Sequence, residues 1–241
     1  MEVVYPRCCG LDIHKKSVVA CVIKPGGKET RTFSTMTKDL LELKNLLIGL
    51  EVTHVAMEST GVYWKPIYNL LEDRFTLMVV NAQHIKAVPG RKTDVKDAEW
   101  IADLLRHGLL RGSFIPDRSM RELREMVRYR RSIIRDQSRI INRIQKTLEG
   151  ANIKLSSVAT DIVGVSGRLI LQAMIDGVEN PKKLAALAKG KLRNKSESLE
   201  EALLGLMGPH QRRMLESQLG NLDYLDKEIN KLDDDISGRM G

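Results

Sequence analysis

Residues 7–33 read RCCGLDIHKKSVVACVIKPGGKETRTF, and their patterning decides the fold. Residues 7–12, 17–23 and 29–33 are short runs rich in apolar and β-branched side chains, with Lys24-Pro25-Gly26-Gly27 as a turn between the second and third. Three strands so closely spaced make an antiparallel meander. Thr37 is then expected to cap a helix with Leu40, Leu41, Leu43, Leu46 and Leu47 on its apolar face, and residues 54–57 form a fourth strand ending at Glu58. Ser59-Thr60-Gly61 opens a second helix carrying Tyr63, Trp64, Ile67, Leu70 and Leu71, before a fifth strand at 75–80. A meander followed by alternating helix and strand predicts an α/β fold with a mixed sheet. A right-handed crossover can lay the fourth strand parallel to the first and beside it. Asp12 and Glu58 would then stand at neighbouring strand ends, where open α/β sheets hold their ligands.

After Pro89-Gly90, the run Arg91-Lys92-Thr93-Asp94-Val95-Lys96-Asp97 leads into a helix with Ala98, Ile101, Ala102, Leu104 and Leu105 facing inward. Asp94 and Asp97, three residues apart, share one face at roughly 5–6 Å between Cβ atoms. Acids in a first turn also cap a helix and offset its dipole, and for this pair alone that is the better reading. Together with Asp12 and Glu58 the balance moves to a metal site. Four gathered carboxylates repel one another, so a fold that assembles them does so around hard divalent cations, here one or two Mg²⁺ ions. Such ions position a nucleophile, shield phosphate charge and stabilise a leaving oxygen, which is what phosphodiester chemistry needs. Asp12, Glu58, Asp94 and Asp97 are therefore the candidate catalytic and metal-binding residues.

The charge of the chain points to the same substrate. At 241 residues with 42% apolar content it can bury a sizeable core, and its net charge of +8 favours polyanionic partners. Between residues 118 and 146 there are ten Arg or Lys against Glu122, Glu125 and Asp136, which is nearly the whole excess. Arg121, Arg124, Arg128, Arg131, Arg135, Arg139, Arg143 and Lys146 step by three or four along a helix, beside an apolar stripe of Met120, Leu123, Val127, Ile134, Ile141, Ile144 and Leu148. The cationic row is ~38 Å long at 1.5 Å per residue, about one duplex turn. A solvated helix face usually mixes Lys with Glu, so eight cations in register favour phosphate contact. Lys86, Arg91 and Lys92, on the approach to Asp94, are further candidate nucleic-acid contacts. With three Phe, two Trp and five Tyr, the chain offers little for a base-stacking platform.

Beyond about residue 115 no strand pattern remains. Residues 155–208 read as short helices broken by glycines, with a lysine cluster at 182, 183, 189, 191 and 195. In the last segment Leu215, Leu219, Leu222, Leu225, Ile229, Leu232 and Ile236 recur as an antiparallel or intermolecular coiled-coil seam, and Asp233-Asp234-Asp235 fan out as a solvated surface. Cys8, Cys9 and Cys21 lie on apolar runs without zinc-ligand spacing and read as reduced core thiols. No signal peptide or membrane-length apolar run is recognised, so a cytoplasmic location away from membranes is expected.

An acid on a first strand, another at the end of a parallel strand and a pair on a later helix match the ribonuclease-H-like arrangement. More specifically, the chain resembles the DEDD transposases of the insertion-sequence-110 family, whose N-terminal domain is similar to the RuvC resolvase. The resemblance rests on Gly10-Leu11-Asp12-Ile13-His14-Lys15, Glu58-Ser59-Thr60-Gly61-Val62-Tyr63, Val80-Asn81-Ala82-Gln83-His84-Ile85-Lys86, Lys92-Thr93-Asp94-Val95-Lys96-Asp97-Ala98 and Asn142-Arg143, in family order. It implies a RuvC-like catalytic domain over residues 1–116 whose four acids bind metal. It also implies a helical coiled-coil region over 117–241 that joins protomers into a dimer or tetramer and binds nucleic acid. The activity implied is site-specific DNA recombination, with target and donor chosen through a structured bridge RNA. Family members continue into a second domain that supplies a nucleophilic serine, so the chain is read as an N-terminal portion that is inactive alone, with that serine expected beyond residue 241.

Two other readings stand beside this one. A binding and dimerisation module would hold RNA or DNA without turnover. An actin-like nucleotide-dependent kinase shares a Gly-x-Asp first strand, but a second glycine-rich phosphate loop is missing and the arginine row counts against it.

Overall fold

A computed structural model describes residues 2–59, 61–87 and 97–240. Strands β1 (Cys8–Ile13), β2 (Ser17–Lys24) and β3 (Gly27–Ser34) form the antiparallel meander, turned at Gly26 and Gly27. Helix α1 (Thr37–Gly49) crosses to β4 (His54–Glu58), and α2 (Trp64–Leu71) crosses to β5 (Thr76–Val80). The sheet order is β3-β2-β1-β4-β5, with β1, β4 and β5 parallel. This is the expected mixed sheet with the first and fourth strands side by side. Helices α3 (Ala82–Ala87) and α4 (Asp97–Arg106) complete this part of the chain.

Strand alternation sends the two faces of the sheet to different helices. Cys9, Leu11, Ile13, Val55, Met57 and Val79 pack with Leu40, Leu43, Leu47, Ile67 and Leu71 of α1 and α2. Cys8, Cys21, Ala56 and Val80 pack with Ala98, Trp100, Ile101, Ala102 and Leu105 of α4. Each fully buried Leu, Ile or Met contributes about 1.5–3 kcal/mol, so the two layers together hold the sheet. All three thiols are buried and unpaired, and burial pushes Cys8 up to about 11. Cys8 Sγ faces the carbonyl of Ala102 at 3.6 Å.

Gly10 sets how closely α4 approaches β1. A Cβ at Gly10 would sit 2.3 Å from the Ala98 carbonyl oxygen and 2.4 Å from the Ala102 nitrogen. Both are backbone atoms of one helix, so no side-chain rotation relieves the clash. Gly10→Ala should therefore lower stability by about 1–3 kcal/mol, the usual range for overpacking, read as a shift of the denaturant midpoint. An unchanged midpoint would mean that the helix moves freely on the sheet.

Several local details differ from expectation. Thr37 is the first helical residue of α1 rather than its cap; Met36 holds the cap position, and its N–H is bound by Ser34 Oγ at 3.0 Å. Leu41 points outward, because at helical spacing it falls beside Leu40 and away from the sheet. The second helix begins at Trp64, since Gly61 takes a left-handed φ of 53° and residues 61–63 form a turn. Helix α3 lies in a stretch where no helix was expected; Asn81 Oδ1 accepts the Gln83 N–H at 2.8 Å and starts it.

The chain divides into two compact units between Arg118 and Ser119. The second is helical: α5 (Arg118–Gly150), α6 (Leu155–Val158), α7 (Val165–Ile175), α8 (Pro181–Ala185), a 3₁₀ turn at Gly190–Lys195, α9 (Ser196–Ala202) and α10 (Pro209–Met240). Helices α5 and α10 run antiparallel within the chain, tied by Thr147 to Gln218, Gln137 to Asp226, Arg130 to Asp233 and Arg239 to Glu122. The expected seam of α10 is thus used inside one chain, where Leu215, Leu219 and Leu222 are buried with Ile140, Ile144 and Leu148. The buried edge of α5 runs through Ile133 and Ile140 instead of Ile134 and Ile141, because it is the side that meets α10. Asp233, read as solvated surface, is held by Arg130, and this guanidinium keeps its carboxyl below the ordinary range. Among the described residues no helix is long and apolar enough to cross a membrane.

Candidate metal centre and nucleic-acid interface

The register of β1 against β4 pairs Leu11 with Met57, so the next residue on each strand is an acid, Asp12 beside Glu58. Asp12 follows Cys8 and Gly10 on the face covered by α4, and Glu58 follows Ala56 on the same face. Adjacent strands lie about 4.8 Å apart, which puts both carboxylates at one edge of the sheet, at the carboxyl ends of parallel strands. Helix α4 runs back over β1 from that edge, with Ala98 above Gly10 and Ala102 above Cys8. Its first residue is Asp97. Three elements far apart in sequence thus bring Asp12, Glu58 and Asp97 to one end of the fold.

Asp94, Arg91 and Lys92 lie outside the described residues, and of Lys86 only the position on α3 is described. Among the described residues no three His, Cys, Asp or Glu side chains stand together as a metal-binding group. The donors nonetheless suit a hard divalent ion. Each is a carboxylate, and the Asp12 side chain is 19% exposed, open to solvent yet fixed by its strand. His14 Nε2 lies 3.2 Å from Asp12 Oδ2, so a strand-end histidine orients one of its oxygens.

The turn after β1 adds two cations that stand in the sequence next to the first acid. Lys15 and Lys16 follow His14 directly and are exposed at the same edge as Asp12. The Lys15 carbonyl is pinned by Thr35 Oγ1 at 3.0 Å and the Lys16 carbonyl by the Thr35 N–H at 3.3 Å, so the turn presents both ammonium groups from a fixed backbone. The dipeptide beside the first acid could have been found by reading charge next to the candidate ligands.

On α5, Arg124, Arg128, Arg131, Arg135, Arg139, Arg143 and Lys146 are exposed and Arg121 is half-buried. At 3.6 residues per turn they fall in an arc of about 120°, opposite Ile133, Ile140 and Ile144. Arg139 pairs with Asp136 at 2.7 Å, and among the described residues Arg124, Arg128, Arg131, Arg135, Arg143 and Lys146 make no ion pair. Arg130, which falls outside this arc, is the one turned to Asp233. Those six side chains therefore present their charge to solvent.

A family model described as Transposase, for DEDD transposases of the IS110 type, matches residues 9–153. The chain belongs to this transposase family. No curated protein matches it. The matched stretch runs from β1 through the whole of α5, so it takes in all four acids and the complete cationic row. Membership makes DNA the partner class of this transposase and recombination its work, and DEDD transposases act with divalent metal ions.

Proposed function

We propose that Asp12, Glu58, Asp94 and Asp97 form a Mg²⁺ site at which this transposase cuts and joins DNA phosphodiesters, guided by a structured bridge RNA. In this reading residues 1–116 are the RuvC-like catalytic domain, and residues 117–241 bind nucleic acid and join protomers. The observation that carries it is the strand register, which sets Asp12 and Glu58 side by side on the face where α4 begins with Asp97. Bound Mg²⁺ supplies charge shielding at the phosphate and stabilises the leaving oxygen. The chain's own work is positional. His14 orients Asp12, Gly10 sets the depth of α4 and hence of Asp97, and Lys15 and Lys16 hold the phosphate backbone at the edge of the sheet. The arginine row of α5 adds affinity along the duplex or the guide RNA.

Strand cleavage of donor DNA by the intact transposase should appear with Mg²⁺ and vanish with a chelator. Cleavage that survives chelation would remove the metal site. The reading as a binding and dimerisation module without turnover is favoured by Arg124, Arg128, Arg131, Arg135, Arg143 and Lys146, which make no ion pair among the described residues. Tight duplex binding with no Mg²⁺-dependent cleavage would select it.

A further inference from the structure

Outside α5 several cations of the second unit are matched to acids. Lys154 pairs with Glu149, Arg168 with Asp223 and Asp226, Arg212 with Glu179, and Arg213 with Glu216. One stretch outside α5 has no such match. From Asn180 to Ser196 there are six cations, Lys182, Lys183, Lys189, Lys191, Arg193 and Lys195, and no acid. All six are exposed, and among the described residues none makes an ion pair. Of the flanking acids, Glu179 is taken by Arg212 and Glu197 lies in the first turn of α9.

Three of these lysines surround an open cleft of about 630 Å³, lined by Lys189, Lys191 and Lys195 together with Thr160 and Ser166. The cleft is built rather than incidental. Ser166 Oγ accepts the Lys189 N–H at 2.9 Å, and Lys195 Nζ donates to the Val158 carbonyl at 3.3 Å, so its two sides are tied to the start of α7 and to the end of α6. The one acid on its wall, Asp161, has Oδ1 occupied by the Val163 N–H at 3.0 Å. Like charges left unmatched in a concave place repel one another, and a polyanion relieves that repulsion by releasing its counterions.

We propose that this lysine cleft is a second contact site for a phosphodiester backbone, separate from the row on α5. It rests on the reading of the protein as a nucleic-acid binder and adds a place where a strand leaves the α5 face and is held again. Lys182, Lys183 and Arg193 extend the positive field around the cleft.

The test is fluorescence anisotropy of the whole chain with a labelled 30-base-pair DNA duplex and, separately, an RNA hairpin of similar length. The triple variant Lys189→Gln, Lys191→Gln, Lys195→Gln should weaken binding of at least one probe by about tenfold at low salt. It should also flatten the dependence of log K on log salt by roughly two to three units, near 0.9 per duplex contact and 0.7 per single-strand contact. A loss on both probes identifies shared backbone recognition; a loss on one identifies RNA or DNA as the occupant. The triple Lys→Arg variant keeps charge and should bind like the parent. Unchanged affinity and slope in the Gln variant would overturn the proposal, as would an equal loss in the Arg variant, which would mark a folding effect. A variant of the α5 row measured beside it keeps the two claims apart: if that variant loses affinity and the lysine variant does not, the cleft falls and the α5 interface stands.

Discussion

Asp12→Asn and Asp97→Asn should each abolish strand cleavage and transposition by the intact transposase while leaving nucleic-acid affinity within about twofold. Asn keeps the shape of the side chain but removes the negative charge that holds a divalent cation. Losing the metal's stabilisation of a phosphodiester transition state, several kcal/mol, corresponds to a rate loss on the order of a thousand-fold or more. On the proposed reading affinity is carried elsewhere, by Lys15, Lys16 and the α5 row, so binding should survive. Asp97 separates the two readings most sharply, because it also sits in the first turn of α4. If it served only the helix, neutralising it would cost about 0.3–1 kcal/mol of stability and leave turnover intact. Gel-based cleavage and anisotropy on the same preparations distinguish these outcomes.

Replacing Arg124, Arg128, Arg131 and Arg135 together by Gln should weaken duplex binding at low salt by more than any single change in the chain. Each phosphate contact releases roughly 0.9 counterion, so the slope of log K against log salt should fall by about three to four. The fold should not suffer, since these side chains are exposed, make no ion pair among the described residues, and Gln is a good helix former. Unaltered affinity and slope would return the row to a solvated surface. The contrast with Arg130 is a built-in control: it is turned to Asp233, and Arg130→Gln should affect binding little.

The architecture was legible because β structure advertises itself through period two and its turns. The alternation in residues 8–13 and 17–24 fixes which side chains meet α1 and which meet α4, and Gly26-Gly27 closes the hairpin. The placement of Asp12 beside Glu58 followed from one topological rule, the right-handed crossover, and the register bears that placement out. What was not legible depended on partners. Leu41 and Leu46 look equivalent to Leu40 and Leu47 in a leucine-rich run, and only the position of the sheet decides that Leu41 faces out. On α5 the pairs Ile133-Ile134 and Ile140-Ile141 offer two apolar edges a step apart, and α10 selects the first of each. Asp233 could not be assigned to Arg130 because more than a hundred residues separate them. The lysine run at 182–195 was visible as charge, but the cleft around it is a product of tertiary structure.

The most direct test of the four-acid site is anomalous diffraction from Mn²⁺ bound to the transposase with its nucleic acid. The account predicts manganese density within coordinating distance of the Asp12, Glu58, Asp94 and Asp97 carboxylates, lost in the Asp12→Asn protein. Manganese bound elsewhere, or those four carboxylates turned to separate surfaces in the bound state, would contradict it.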